Sequence, residues 1–201
     1  MKILSIDFDI IMAPSINLYN DKVPQTDWTS LEEIPYYKLC TFDTIHYKRL
    51  TKYLIHQFRK KDKEQLYFFE NHAMVAKLIE NSSKKINLVN IDHHHDIEYA
   101  NGPKANEHLT CANWVNYLYN INKIESYIWV NNPNSSSCEI EYSNFKSINF
   151  KDYKLEEEEF DIICLVLSEP WIPPYLRNLY FLWLDLAKEF AYPGEIDFTI
   201  P

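Results

Sequence analysis

Asp92, His94 and Asp96 occupy alternate positions in the run Asp92-His93-His94-His95-Asp96. On an extended segment alternate side chains point the same way, so these three would converge while His93 and His95 turn to the other side. Carboxylate, imidazole and carboxylate form a ligand set suited to a divalent cation of intermediate hardness, such as Mn²⁺ or Fe²⁺, and no neighbouring thiolate favours structural zinc. A solvated His-rich loop is the competing reading of the same run. Asp7 and Asp9 repeat the spacing near the amino terminus. Two carboxylates at the end of an apolar strand repel each other and resist desolvation unless a cation lies between them, although either one also fits a helix cap. His72 stands just ahead of a helical pattern, where a capping or packing role competes with ligation. Glu169, before Pro170, fits either a binding carboxylate or an exposed turn.

These residues need elements to position them. Lys2–Ile11 reads as a strand, Asp43–Lys61 as a helix with Asp43 or Thr44 as its cap, and Gln65–Phe69 as a short strand. Asn71–Glu80 reads as a helix, Ile86–Ile91 as a strand, Thr110–Tyr119 as a helix and Ser126–Val130 as a strand, with a turn at Asn131–Asn134. Phe160–Leu167 is nearly continuous in apolar residues, the mark of a strand buried on both faces. Ala13–Pro35, with Pro14, Pro24 and Pro35, reads as irregular. Alternation of strands and helices predicts a three-layer α/β/α sandwich with a mainly parallel sheet. In such sheets ligands gather beyond the carboxyl ends of the strands, which is where Asp7/Asp9, Asp92–Asp96 and Glu169 fall, with His72 at a fourth end.

With 201 residues, 46% of them apolar and 15% aromatic, the chain suits a single domain over residues 1–201. A net charge of -9 argues against nucleic acid as a partner, because neutralising phosphates takes surplus Lys and Arg. No run of apolar residues suffices to span a membrane, and MKILSIDFDI lacks the unbroken apolar region of a secretory signal. Cys40, Cys111, Cys138 and Cys164 form no C-x-x-C pair, as expected of reduced thiols. The expected location is therefore the cytoplasm.

Together, Asp92-x-His94-x-Asp96, Asp7-x-Asp9 and the upstream His72 resemble the ligand set of the arginase/agmatinase (ureohydrolase) superfamily, whose members hold two manganese ions. The strand Cys164-Leu-Val-Leu-Ser-Glu169-Pro170 is similar to the late family strand whose glutamate binds the substrate guanidinium. His108 stands about where arginases carry a proton-shuttling histidine. In arginases the D-x-D element lies between the D-x-H-x-D element and that glutamate; here it opens the chain, which implies a circular permutation or a rearranged strand order. The opening D-x-D, the D-x-H-x-D run and Cys111-Ala-Asn-Trp114 look most like an arginase-related group that includes peptide arginases, enzymes that convert arginine side chains within a precursor peptide to ornithine.

The resemblance implies an arginase-like fold holding two Mn²⁺, with Fe²⁺ or another divalent metal as the alternative. Asp92 and Asp7 would bridge the metals, His72 and Asp96 would complete one site, and His94 and Asp9 the other. Asp96 would also orient the attacking hydroxide, His108 would relay protons, and Glu169 would hold the guanidinium. The implied substrate is an arginine-containing peptide, or alternatively free arginine or a related guanidine. Trp28, Tyr36, Tyr37 and Trp171 could line a peptide groove. Two other readings stand beside this one: a one-zinc deacetylase-like amidohydrolase, and a non-catalytic metal-containing protein that binds a peptide.

Overall fold

The structure is a computed structural model that describes residues 1–13, 41–60, 65–97, 109–133, 135, 143–168, 172 and 174–191. Period-two alternation determines which way each strand faces. In β1 (Lys2–Asp7), Leu4 and Ile6 enter one buried apolar cluster while Ile3 enters a second on the opposite face. After the short β2 (Met12–Ala13) and β3 (Thr41–Phe42), which pair antiparallel, come β4 (Leu66–Phe69) and β5 (Ile86–Ile91). β6 (Ile124–Asn131), β7 (Phe145–Asn149) and β8 (Ile162–Val166) complete the set. Among the described residues the main sheet has six strands in the order β4-β8-β1-β5-β6-β7, and every neighbouring pair is parallel.

Helices cover both faces. α1 (Thr44–Phe58) and α4 (Pro174–Ala191) pack on the face of Leu4 and Ile6, and α2 (His72–Glu80) and α3 (Trp114–Asn120) on the face of Ile3 and Leu88. α1 starts where expected, because Asp43 accepts hydrogen bonds from the main-chain N–H groups of Ile45 and His46 at 2.8 and 2.9 Å. Its buried residues Leu50, Tyr53, Leu54 and Phe58 recur at helical spacing. α2 is capped by Asn71, so His72 is its first helical residue and not its cap. The α/β class and layered parallel architecture expected from the sequence are present.

Several boundaries differ. β1 ends at Asp7, and Phe8–Ile11 forms a 3-10 turn, because Asp7 Oδ1 draws back the Asp9 N–H at 3.0 Å. α3 begins at Trp114 because the Thr110 N–H bonds the Asn113 side chain ahead of it. β7 and α4 add to the elements expected from the sequence: β7 is a half-exposed edge strand without an apolar run, and the apolar stretch Leu179–Leu186 is the middle of α4. Cys111 and Cys164 are both free thiols. Within the described residues, no helix is long and apolar enough to cross a membrane. His108, Glu169, Cys40, Cys138, Trp28, Tyr36, Tyr37 and Trp171 lie outside the described residues, as does nearly all of Ala13–Pro35.

The topology creates one distinctive crevice. From β1 the chain crosses towards β4 on one side of the sheet, and from β5 it crosses towards β6 on the other. The carboxyl ends of β1 and β5 therefore flank a topological switch point, the usual ligand crevice of such sheets. Phe8 anchors the turn at this point. Its ring meets Trp183 edge-on at 5.0 Å and Tyr180 at 5.6 Å in the α1/α4 layer. Phe8→Ala is expected to cost about 3–5 kcal/mol of stability in urea unfolding, the usual range for removing a buried aromatic ring. A loss below about 1 kcal/mol would show that the turn is held by something else.

Candidate metal centre

The register of β1 and β5 builds the centre. Ser5 pairs with Asn90 and Ile6 with Ile91, so Asp7 and Asp92 emerge side by side one step further on. By alternation Ser5, Asp7, Asn90 and Asp92 all face the α2/α3 side, where His72 opens α2. His72 Nδ1 lies 3.2 Å from Asp7 Oδ2, 3.2 Å from Asp96 Oδ2 and 3.6 Å from Asp92 Oδ2. His94 Nδ1 lies 3.0 Å from Asp9 Oδ2 and 3.9 Å from Asp92 Oδ1. Two sets of ligand atoms fall within mutual reach: Asp7, His72 and Asp92, and Asp9, Asp92 and His94. Either could hold a metal ion. Asp92 belongs to both, and Asp96 adjoins the first through His72.

All six of these side chains are buried, which removes the solvated-loop reading of Asp92–Asp96. The expected extended geometry is replaced by a bent one: β5 stops at Ile91, and Asp96 takes a left-handed backbone with φ of 54°. His93 and His95 are buried as well, with His95 set edge-on to Trp129 at 5.5 Å. Asp9 enters the centre from the 3-10 turn and not from a strand, and its Oδ1 accepts the His93 N–H at 3.2 Å.

Electrostatics set what the centre can tolerate. Burial raises the Asp7 carboxyl to about 7, and the Asp9 charge adds to the rise. Burial likewise lifts Asp92 well above the ordinary carboxylate range, reinforced by Asp96, Asp9 and Asp7. Burial opposes charge on His94 and on His72, but the carboxylates beside them outweigh it, so that His94 is raised to about 9 and His72 is raised too. Asp9 is lowered, because contact with His94 and the nearby His93 overcomes its burial. Without a cation, this cluster holds its place by taking up protons. Asp9 Oδ2 is buried with no aligned hydrogen-bond donor even though His94 Nδ1 is 3.0 Å away. A buried carboxylate oxygen so placed beside an imidazole nitrogen suits a shared cation.

The groups that support the ligands carry little signal in the sequence. Ser5 Oγ contacts His72 Nε2 at 3.1 Å, which leaves Nδ1 aimed at the carboxylates. Asn90 donates to Asp92 Oδ2 at 2.8 Å, the His94 N–H donates to Asp92 Oδ1 at 2.8 Å, and the Ser168 hydroxyl donates to Asp7 Oδ2. Trp114 Nε1 donates to Asp96 Oδ2 at 2.6 Å. Such partners orient metal ligands and fix their tautomers. Ser5 and Asn90 carry one legible signal, a polar residue two positions before a candidate ligand on a strand. Ser168, with φ of 49°, carries none.

A comparison with protein-family models, with curated proteins and with solved structures finds no match for this chain.

Raised folded-state values mean that the cation-free protein binds protons its unfolded chain would release. Its stability must fall as pH rises, from 3.8 to about 7 on account of Asp7 and from 6.5 to about 9 on account of His94. The lowered Asp9 acts in the opposite sense, but only as pH drops below its ordinary 3.8. Thermal unfolding in chelator should therefore show a melting temperature that declines between neutral and alkaline pH, and added Mn²⁺ should remove the decline by replacing the protons. A cation-free melting temperature independent of pH would contradict this account of the cluster.

Proposed function

We propose that this chain is a manganese-dependent hydrolase of guanidinium groups, which converts arginine side chains in a precursor peptide to ornithine and releases urea. The observation that most supports the reading is the pair of buried Asp/His groups joined through Asp92 at the switch point of a parallel sheet. The choice of guanidinium and of a peptide rests on the resemblance of the D-x-D, D-x-H-x-D and Cys111–Trp114 segments to the arginase-related group.

In this reading Asp7, His72, Asp92 and Asp96 would hold one cation and Asp9, Asp92 and His94 the other; of the two carboxylates expected to serve both sites, the geometry brings Asp92 to both groups and Asp7 to the first. When bound, two divalent cations supply Lewis acidity that lowers the pKa of water towards neutrality. Asp96, held from behind by Trp114, accepts a hydrogen bond from the attacking water and aims it at the guanidinium carbon. Glu169 fixes the cationic guanidinium through a charge-assisted contact. The C–N bond to the side-chain nitrogen breaks as that nitrogen gains a proton relayed by His108, which leaves an ornithine amine and urea. The roles of Glu169 and His108 come from the resemblance.

Manganese-loaded protein incubated with arginine, agmatine and arginine-bearing peptides should lower the mass of the peptides by about 42 Da per converted residue, read by mass spectrometry with urea release in parallel. Asp92→Ala should abolish both metal retention and conversion. Glu169→Ala should retain metal and lose mainly substrate engagement, seen as a raised KM. A single zinc per chain would favour the deacetylase-like alternative, and full manganese occupancy without conversion of any of these substrates would favour a non-catalytic binding protein.

A further inference from the structure

Trp114 touches two candidate ligands that arrive from different elements. Its Nε1–H donates to Asp96 Oδ2 at 2.6 Å, and its ring lies nearly parallel to that of His72, with centroids 4.9 Å apart and planes 12° apart. The indole is fully buried, at 0% exposure. A parallel contact at this distance fixes the plane of the imidazole, and the Ser5 contact at Nε2 fixes its tilt. Nδ1 is then left facing carboxylate oxygens of Asp7, Asp92 and Asp96. The Nε1–H anchors the carboxylate of a residue whose own backbone sits in the left-handed region, a conformation that persists only where the surroundings hold it. Separately, the Val115 N–H holds the Asp96 carbonyl at 3.2 Å, so α3 grips the main chain and the side chain of Asp96 through consecutive residues.

We infer that Trp114 is a positioning residue of the metal centre, whose N–H and ring together hold Asp96 and His72 in the arrangement that binds the first cation. The inference rests on the metal-centre reading but not on the nature of the substrate. Trp183 offers a matched comparison. It too is a fully buried indole, and its Nε1 donates at 2.7 Å to Thr51 Oγ1 in the α1/α4 layer, on the other face of the sheet.

Trp114→Phe keeps an aromatic ring beside His72 and the main-chain grip on Asp96, and removes the donor together with part of the buried ring volume, a loss of volume that Trp183→Phe matches. Titration calorimetry with Mn²⁺ on the full chain should show this variant weakened by about 10- to 100-fold at one binding step, the range seen when a partner of a metal ligand is removed. The second step, at Asp9, Asp92 and His94, should change less. Trp183→Phe should leave both steps as in the wild type even where it lowers the melting temperature. Wild-type affinity in Trp114→Phe would overturn the inference, and so would equal weakening by both variants, which would mean that general destabilisation explains the loss. Wild-type protein that takes up no Mn²⁺ would overturn the metal-centre reading itself, and this inference with it.

A second measurement needs no folded variant. With indole-¹⁵N tryptophan, the Trp114 N–H resonance of the wild-type chain should shift when diamagnetic Zn²⁺ is added, while that of Trp183 stays in place. An unmoved Trp114 resonance under conditions where Zn²⁺ is bound would overturn the inference.

Discussion

Four carboxylates, those of Asp7, Asp9, Asp92 and Asp96, are buried within reach of two imidazoles, and this crowding of like charge is the constraint on which the structure turns. Desolvation and mutual repulsion forbid them all to ionise in the absence of compensating positive charge. Protons can supply some of it, as the raised Asp7, Asp92, His72 and His94 values indicate. Two divalent cations would supply all of it and would also give Asp9 Oδ2 a partner.

The fold sustains this crowding by dividing labour between the two faces of one sheet. On the α1/α4 side, Phe8 packs the turn after β1 against Trp183 by apolar contact. On the α2/α3 side, polar groups stand in line along the same strands. Ser5 precedes Asp7 and Asn90 precedes Asp92, each two residues back and therefore on the same face. The left-handed backbones of Asp96 and Ser168 cost about 1–3 kcal/mol each. Both occur where the chain turns a polar side chain inward beyond the end of a strand, and the hydrogen bonds from Ser168 to Asp7 and from Trp114 to Asp96 hold those turns together with main-chain bonds from Ser168 to Glu70 and from Val115 to Asp96.

Adjacency in this centre comes from sheet order and not from sequence order. Asp7 and Asp92 are far apart along the chain but lie next to each other because β1 and β5 pair in parallel and in register. A D-x-D element at the start of a chain can thus occupy the same place in a crevice as one near its end, provided that its strand is inserted at the same position. The proposed peptide chemistry depends on that equivalence, and its substrate-holding half depends on Glu169 and His108.

Much of this was legible in the sequence because strand and helix periods, caps and strand-end polarity are local. β5 has the bounds its apolar run predicts, Asp43 caps α1, and Asp92, His94, Asp96 and the pair Asp7 and Asp9 are recognisable as ligand types by chemistry and spacing, whereas His72 enters the ligand set only through the resemblance. β7 was not legible, because a half-exposed edge strand has no apolar run to mark it. The convergence itself was decided by tertiary structure. The bend at Asp96, the 3-10 turn that carries Asp9, and the reach of Ser168 and Trp114 across to ligands on other elements all depend on contacts between residues distant in the chain. Periodicity determines which face a side chain takes, whereas only the packing of strand on strand and helix on sheet determines what it meets there.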